Sequence, residues 1–375
     1  MKKKVIILIS VLTTAILMNA CGKAKGTDDV KDEVEVVAEE DADVPEDNGG
    51  ADDSGKENNI SAGIDETTTN IYGNCGIDLK WYYQDGILVI RGTGLMDDNG
   101  QDWSDYKDYI QSVIIESGVV SIKYGAFMDY PNLTSVTIPD SVDFIEGNAF
   151  RQCSNLVDIE LPDNIKRIDD YAFERCSSLK EITIPSNLTA VSDCLFDQCT
   201  SLTGDIIIPD GVTRIGGGAF RGCSNLTNIV IPDGVTSIAP NAFSECSNLT
   251  KIVVPDSVTF MEGHVFENCT KLTDVSLSSG LTEIWSNTFQ GCTSLTDIVI
   301  PDGVTTIESS VFEGCSSLTS VTIPASVTDI GGEAFNECAN LQKVIIENAN
   351  ADIAKRAFPK GTKVIIDGNE QIWDY

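Results

Sequence analysis

The stretch CSNLTNIVIPDGVTSIAPNAF, Cys223–Phe243, contains the pattern that recurs down most of this 375-residue chain. Phenylalanine returns every 23 residues, with one interval of 24 near Gly204. The recurring phenylalanines are Phe127, Phe150, Phe173, Phe196, Phe220, Phe243, Phe266, Phe289, Phe312, Phe335 and Phe358. Written from the leucine that follows each of them, a repeat is L-x-x-[VI]-x-[IL]-P-D-[GSN]-V-x-x-I-x-x-x-A-F-x-x-C-x-x. A fixed period of this length indicates a repeat array.

Each repeat contains one predicted strand and a return path. Leu226–Pro232 alternates large apolar residues and is rich in β-branched types, as in strands. Pro232 has no backbone N–H and is expected to end the strand, with a turn at Asp233-Gly234. Ala242-Phe243 is expected to lie on a short helical turn. Because one unit cannot bury its own apolar face, the pattern predicts a stacked solenoid, with parallel strands on one side and phenylalanines on the other.

The motifs CSNLTNIVIPDGVTSI and CSSLTSVTIPASVTDIGGEAF resemble the leucine-rich repeats of BspA-like bacterial surface proteins. The resemblance covers roughly residues 70–375 and implies a leucine-rich-repeat solenoid with a binding role at the cell surface. In this chain the asparagine ladder of ordinary leucine-rich repeats is largely replaced by other residues. They are Gly211, Gly234, Ser257 and Gly303, while Asn164 and Asn187 keep the asparagine. The proline turn is therefore expected to take over part of the corner-forming role.

Eleven repeats are predicted over residues 110–363, and the sequence differs at both ends. Leu79–Gly94 has two β-prone runs around Gln84-Asp85-Gly86, which predicts a small β-hairpin N-cap over residues 70–109. A separate binding domain is the alternative for that segment. Residues 364–375 are predicted to form a C-cap, in which Trp373 and Tyr375 cover the last turn.

The N-terminus has the features of an export signal. Lys2, Lys3 and Lys4 precede an apolar run over residues 5–18, which is too short to span a membrane. The run ends in LMNAC, which resembles the lipobox of bacterial lipoproteins. We therefore expect residues 1–20 to be a signal peptide and Cys21 to be lipidated, which implies a lipid-anchored protein of the bacterial cell surface. A plain secretory signal with a chance cysteine is the alternative.

An acidic segment follows the predicted anchor. Residues 28–57 contain fourteen Asp and Glu against two Lys, with few large apolar residues. Such a segment cannot bury enough surface to offset its ordering entropy, so residues 21–69 are predicted to be a disordered, self-repelling tether. A binding tail for a basic partner is the alternative. The formal net charge of −33 argues against nucleic-acid binding, which needs Lys and Arg to neutralise phosphates.

The recurring cysteines admit three interpretations: metal ligands, disulfides or core packing. They are Cys153, Cys176, Cys199, Cys223, Cys246, Cys269, Cys292, Cys315 and Cys338, and we call them the thiol ladder. Zinc needs four converging ligands, whereas a 23-residue spacing places these sulfurs in a line. Disulfides are harder to exclude in an exported protein, but stacked side chains point the same way. Core packing is favoured, and Cys194 with Cys199 is the local pair to check for a disulfide.

Few side chains suggest catalysis or metal binding. His264 is the single histidine, so no Ser/His or Cys/His arrangement can be built, and it is expected at the surface. Turn aspartates recur after the prolines and could hold calcium, but a turn explains them equally well. These aspartates are Asp210, Asp233, Asp256 and Asp302. No enzyme activity, metal or other cofactor is expected.

The exposed strand positions are the predicted binding residues. The third position of successive repeats forms a mostly acidic column, whose alternative role is simply to be solvated. The candidate residues in this acidic column are Asp158, Glu181, Asp205, Asn228, Lys251, Asp274 and Asp297. Three unusual aromatics, Phe144, Phe260 and Trp285, are further candidates. The column lacks the Trp and Tyr that stack sugars, which favours a protein partner of basic character over a glycan.

Taken together, these patterns predict a monomeric, non-catalytic adhesion or binding protein that recognises an extracellular partner. The alternative is a structural coat component, whose role is spacing rather than recognition.

Overall fold

The computed structural model describes residues 71–97 and 102–374. The predicted signal peptide, Cys21, the acidic tether and Tyr375 lie outside the described residues. The one helix among the described residues is a 3₁₀ turn over Ser104–Tyr106, so this part of the chain contains no helix that could cross a membrane.

The repeats form a parallel β-solenoid with two rows of short strands. In the first row, the strands follow the recurring leucine: Ser112–Ile115, Ser135–Thr137, Asp158–Ile159, Asp205–Ile207, Asn228–Val230, Lys251–Val253, Asp274–Ser276, Ser320–Ile323, Lys343–Ile346 and Lys363–Ile366. In the second row, they follow the proline turn: Val119–Ile122, Phe144–Ile145, Arg167–Ile168, Ala190–Val191, Arg214–Ile215, Ser237–Ile238, Phe260–Met261, Glu283–Ile284, Thr306–Ile307, Asp329–Ile330 and Asp352–Ile353. Where strands of adjacent turns pair within a row, they are parallel, and the paired residues are 20 to 24 positions apart, as in Arg214↔Ser237↔Phe260. The leucine-rich-repeat solenoid is confirmed, and the second row is an addition to the predicted single strand per repeat.

The return segment is a run of reverse turns and not the short helical turn that we expected. Around Phe220, backbone N–H groups alternate between two kinds of acceptor. Phe220 N donates to Ala242 O of the next turn (2.9 Å), whereas Arg221 N donates to Gly218 O (3.1 Å). The alternation depends on a left-handed residue two positions before and two positions after the phenylalanine, with φ of 61° at Gly218 and 69° at Gly222. Left-handed residues at this spacing interrupt any helix.

The same two left-handed positions occur around each phenylalanine from Phe127 to Phe335. Their residues are Gly125, Asp129, Asn148, Gln152, Tyr171, Arg175, Cys194, Gln198, Gly218, Gly222, Asn241, Glu245, His264, Asn268, Asn287, Gly291, Ser310, Gly314, Glu333 and Glu337. Gly, Asn and Asp adopt this conformation at least cost, and they occupy about half of the positions. The two side chains that had attracted attention as chemical groups, Cys194 and His264, both stand there.

The phenylalanines form one continuous stack through the core. Adjacent rings lie 4.9 to 5.8 Å apart between centroids and are nearly parallel. Trp103 extends the stack at the N-terminal end, with its ring 5.5 Å from Phe127. Trp373 closes the other end edge-on, 5.2 Å from Phe358. Both tryptophans are buried, so each end of the stack is covered by an indole.

The N-cap is a three-stranded antiparallel unit: β1 (Tyr72–Asn74), β2 (Asp78–Gln84) and β3 (Ile87–Leu95). The β2–β3 hairpin turns at Asp85-Gly86, as its sequence indicates. β3 is long enough to pair with both rows, since Ile87–Ile90 lie beside the first strand of one row and Gly94-Leu95 beside the first strand of the other. The C-terminal end is a second hairpin, Lys363–Ile366 with Asn369–Ile372.

The corner between the two rows is formed by the proline turn, as expected. In each such turn the proline carbonyl accepts the N–H of the valine or its equivalent three residues on, as from Val235 to Pro232 (3.1 Å). The backbone of this turn favours glycine at Gly234, because a Cβ there would lie 2.6 Å from the carbonyl oxygen of Asp210 on the preceding turn. Where asparagine remains, at Asn164, its amide donates to Asp140 O and Val142 O of the preceding turn.

Candidate binding surface

The acidic column lies on the outer face of the first row. Asp158, Glu181, Asp205, Lys251, Asp274 and Asp297 are exposed, and Asn228 is half-buried. Strand register aligns Asp205 with Asn228 and Lys251 with Asp274. Neighbouring rungs in a sheet are about 4.8 Å apart, so the column is a continuous row of side chains.

One carboxylate of the column is neutralised from within it, and another accepts a hydrogen bond. Lys251 Nζ lies 2.9 Å from Asp274 Oδ2, and Asn228 Nδ2 donates to Asp205 Oδ1 at 3.1 Å. Asp158, Glu181, Asp205 and Asp297 make no ion pair with any residue in the described ranges. The column therefore carries its uncompensated charge at two places, along Asp158, Glu181 and Asp205 and at Asp297.

The first-row strand is missing from the repeats that contain Glu181 and Asp297. Residues 181–183 and 297–299 are not in a strand, whereas the repeats with a hydrogen-bonded or ion-paired column residue have one. Glu181 stands between Asp158 and Asp205, and Asp297 follows Asp274. In both repeats the column residue is an exposed carboxylate with no ion pair in the described ranges.

A row of exposed aliphatic side chains runs beside the acidic column, two residues after the column position in four of the repeats. Ile207 and Val299 are 65% and 74% exposed, and Val230 and Val253 about half exposed. Ile207 pairs in register with Val230, so adjacent turns present a connected apolar strip. None of these aliphatic residues is among the binding residues predicted from the sequence. Their signal was the strand alternation, since a β-branched residue stands where an outward-facing position normally carries a polar one.

The three aromatic candidates lie on the second row, on a different surface from the acidic column. The ring of Phe144 is covered by Arg167, whose Cζ is 5.4 Å from the ring centroid. Phe260 is 45% exposed and meets Trp285 edge-to-face at 5.8 Å. The structure therefore brings Phe260 and Trp285 together and leaves Phe144 five turns away.

The thiol ladder is buried in the core, and its cysteines are free. Each sulfur hydrogen-bonds to the carbonyl of the preceding turn's phenylalanine, as from Cys246 Sγ to Phe220 O (3.2 Å). Burial raises the pKa of the Cys246 thiol from 9.0 to about 12. These positions are packing residues, and no disulfide joins Cys194 to Cys199. A low-pKa, exposed thiol is what a reactive cysteine needs, and the ladder has the opposite properties.

Cys194 is the one described cysteine that is partly exposed. We expect iodoacetamide at pH 8, in reducing buffer, to alkylate Cys194 well before Cys75 or any member of the thiol ladder. A buried thiol is shielded from the reagent and stays protonated, and the thiolate is the form that reacts. Peptide mass spectrometry of the native and the denatured chain gives the order of labelling. Equal rates at Cys194 and at a ladder cysteine would contradict the packing assignment.

Paired charges flank the phenylalanine stack at the position after four consecutive rings, Phe150 to Phe220. Arg151 Nε lies 2.6 Å from Glu174 Oε2, and Arg221 Nε donates to Asp197 Oδ1 at 2.9 Å while its Nη2 contacts Oδ2. The carboxylates of Glu174 and Asp197 are buried, at 6% and 2% side-chain exposure. These pairs join neighbouring turns. The sequence signal for these pairs is opposite charge at the same repeat position of adjacent turns. These residues are not among the predicted binding residues.

Breaking such a pair is expected to destabilise the fold. Arg221→Met leaves the Asp197 carboxylate buried without its cation, and we expect a loss of about 2 to 3 kcal/mol in the free energy of unfolding. Arg221→Met with Asp197→Asn removes both charges and is expected to cost clearly less. Denaturant unfolding of the two variants measures the difference. A double variant that is less stable than the single one would contradict this account.

His264 is partly exposed and its Nδ1 lies 2.9 Å from Glu267 Oε2. In the described ranges, no group of three or more His, Cys, Asp or Glu side chains is arranged to hold a metal ion. Among the turn aspartates, Asp256 bonds to the next turn, where its Oδ1 accepts the N–H and the hydroxyl of Ser279 at 2.8 Å.

Comparison with known proteins agrees with this architecture. The model of the BspA type leucine-rich repeat region matches residues 105–204, 195–295 and 282–366. A leucine-rich repeat protein from Bacteroides ovatus has a similar structure, with a TM-score of 0.60, 25% identity and 77% coverage of each chain. A leucine rich cell surface protein from Faecalibacterium prausnitzii is 29% identical over 73% of this chain and 94% of its own, with a TM-score of 0.41. No curated protein matches the chain.

Solenoids of this kind are typically non-catalytic. The match of the repeat model over residues 105–366 includes every turn from the first phenylalanine of the stack to the last. The chain therefore belongs to the BspA-type leucine-rich repeat family.

Proposed function

We propose that this chain is a non-catalytic binding or adhesion protein of the bacterial cell surface, and that it recognises an extracellular protein of basic character through the first row. The observation that supports the proposal most is the acidic column beside the exposed aliphatic strip. Uncompensated carboxylates steer a basic partner and orient it, and the apolar side chains supply the area to be buried. Aromatic platforms for sugars are absent from the described part of this face, which favours a protein partner over a glycan.

The partner can be identified by position-specific cross-linking. A photo-crosslinking amino acid at Asn228 lies in the column, and the same group at Ala339, an exposed position of the return segment outside both rows, is the matched control. Surface proteins from neighbouring and host cells that attach at Asn228 and not at Ala339 are candidates. Attachment only at Ala339 would exclude the first row as the binding face.

Charge reversal then tests the column against the identified partner. Asp158→Lys with Glu181→Lys is expected to weaken binding about tenfold or more at low salt, and the difference should shrink as salt is added. Asp210→Lys with Asp233→Lys changes the net charge equally, on exposed turns outside the column, and should change affinity little. Equal losses in the two double variants would show that net charge, and not the column, governs binding.

The proposed anchor rests on the LMNAC motif and has a separate test. Cys21→Ala is expected to release the chain from the membrane fraction and to abolish incorporation of labelled lipid. A Cys21→Ala chain that still incorporates lipid would remove Cys21 from the account and leave the binding proposal intact.

A further inference from the structure

Phe260 and Trp285 form the most exposed aromatic cluster on the second row, and its surroundings are acidic. Phe260 is 45% exposed, and the Trp285 ring meets it edge-to-face. Glu262 directly follows the strand Phe260–Met261, and Glu283, 23 residues after Phe260, begins the second-row strand of the next turn. Both carboxylates are half-buried and make no ion pair within the described part of the chain.

The same molecule shows what covers a phenylalanine in this column. Phe144 occupies the equivalent position five turns earlier, and its next-turn neighbour in register is Arg167. The Arg167 guanidinium lies over the ring, with Cζ 5.4 Å from the centroid, and Arg167 Nε is held by Asp169 Oδ1 at 2.9 Å. A guanidinium stacked on an aromatic face and paired with a carboxylate is a favourable arrangement, because the ring face is electron-rich.

At Phe260 the aromatic face and the carboxylates are present, but the arginine is not. Glu283 follows Phe260 by 23 residues, as Arg167 follows Phe144. Trp285 follows Phe260 by 25 residues, as Asp169 follows Phe144. The cluster thus offers two aromatic rings and two carboxylates, with no cation from its own chain in the position that Arg167 takes. Exposed aromatics rimmed by polar residues are also typical of binding hot spots.

We propose that Phe260, Trp285, Glu262 and Glu283 form a docking site for an arginine side chain of a protein partner. The guanidinium would stack on Phe260 and pair with Glu283, reproducing between two proteins the contact that Arg167 makes with Phe144 within one. This inference rests on the proposed function, since it gives the basic partner a second contact on the other row. Arginine suits the site better than lysine, because its planar guanidinium stacks and bonds at once.

A peptide selection tests the site without knowledge of the natural partner. Random linear peptides displayed on phage are selected on the full chain, and bound sequences are compared with those selected on a Phe260→Ser chain. Serine occurs in the same column at Ser237, so the substitution suits the strand. We expect arginine to be enriched over lysine only on the unaltered chain.

Synthetic peptides from that selection then measure the contact. Affinity is expected to fall about tenfold with Phe260→Leu, which keeps an apolar side chain but removes the ring, and to fall similarly with Glu283→Gln. Replacing the peptide arginine by neutral citrulline should cause a comparable loss. Phe144→Ser is the matched control and should leave affinity unchanged, because that ring is already covered.

Two results would overturn the inference: no arginine preference in the selection, or equal affinity for the unaltered, Phe260→Leu and Glu283→Gln chains. A third result separates it from the proposed function. If the natural partner loses affinity with Asp158→Lys and Glu181→Lys but not with Phe260→Leu, the acidic column binds and the aromatic site does not.

Discussion

Phe243→Ala is expected to lower the free energy of unfolding by about 3 to 5 kcal/mol. Phe243 is fully buried, and its ring lies 5.8 Å from Phe220 and 5.6 Å from Phe266. Truncation removes both ring contacts and leaves a cavity. The neighbouring rings cannot move in to fill it, because the backbone on each side is tied to the next turn, as where Phe243 N donates to Val265 O at 3.0 Å. Denaturant unfolding measures the loss.

Phe260→Ala provides the comparison, since it removes the same atoms from a half-exposed ring. It should cost less than about 1 kcal/mol. In a solenoid each turn contacts mainly its neighbours, so amide exchange in Phe243→Ala should rise most in the turns around residues 220 and 266. Equal losses for the two variants would show that the phenylalanine stack does not carry the stability assigned to it.

The second large effect is alkaline unfolding driven by the thiol ladder. Burial raises the pKa of Cys153, Cys246, Cys292 and Cys338 from 9.0 to about 12 and that of the other five members well above its ordinary value. Below about pH 8 the thiols are protonated in both states and contribute no pH dependence. Between about pH 8 and 12 mainly the unfolded chain loses these protons, so the folded state is progressively disfavoured.

Each thiol contributes up to about 1.4 kcal/mol per pH unit in that window. With nine thiols, we expect the free energy of unfolding to fall on the order of 10 kcal/mol between pH 9 and pH 10. Guanidinium titrations from pH 7 to 10.5, in a reducing buffer and followed by circular dichroism, measure the fall.

Cys-to-Ala variants separate the thiols from the tyrosines and lysines that titrate in the same range. Replacing Cys246, Cys269 and Cys292 together should lower stability at pH 7 but flatten the alkaline slope by about one third, since three of the nine protons are gone. An unchanged slope in the triple variant would assign the alkaline transition to other groups.

Much of the fold could be predicted because the repeat makes every signal appear about eleven times. The phenylalanine stack, the buried cysteines and the proline corner all follow from positions that hardly vary. Even Trp103 was within reach, since it precedes Phe127 by 24 residues, one period plus one. The structure confirms these features because each is set by burial, which selects the same residue type on every turn.

The second row and the left-handed turns were not predictable in the same way. Most second-row strands contain only two residues, too few for an alternation to be recognised. The left-handed positions include Tyr171, Arg175, Glu333 and Glu337, residues that normally avoid that conformation. There the stacked neighbours override local preference, because the next turn's carbonyls accept the N–H groups that the turn presents.

The repeat pattern was enough to locate the outward-facing column of the binding surface. It was not enough to predict which carboxylates of the column are paired with a cation. Asp274 is paired because the strand register places Lys251 directly beside it on the preceding turn. The separation of Phe144 from Phe260 likewise follows from stacking order. The exposed aliphatic strip was not predicted, because β-branched residues are common in strands whether their side chains are buried or exposed.

The bonds that join the turns have a consequence for how such a chain can change during evolution. Thiol, hydroxyl and backbone groups each reach the adjacent turn, across 20 to 27 residues. No described strand pairing joins turns further apart. Duplication or loss of a 23-residue unit by recombination therefore leaves every remaining turn with a neighbour of the kind it already had. The protein's length, and with it the extent of its outer face, can be altered in whole units without redesign of the core.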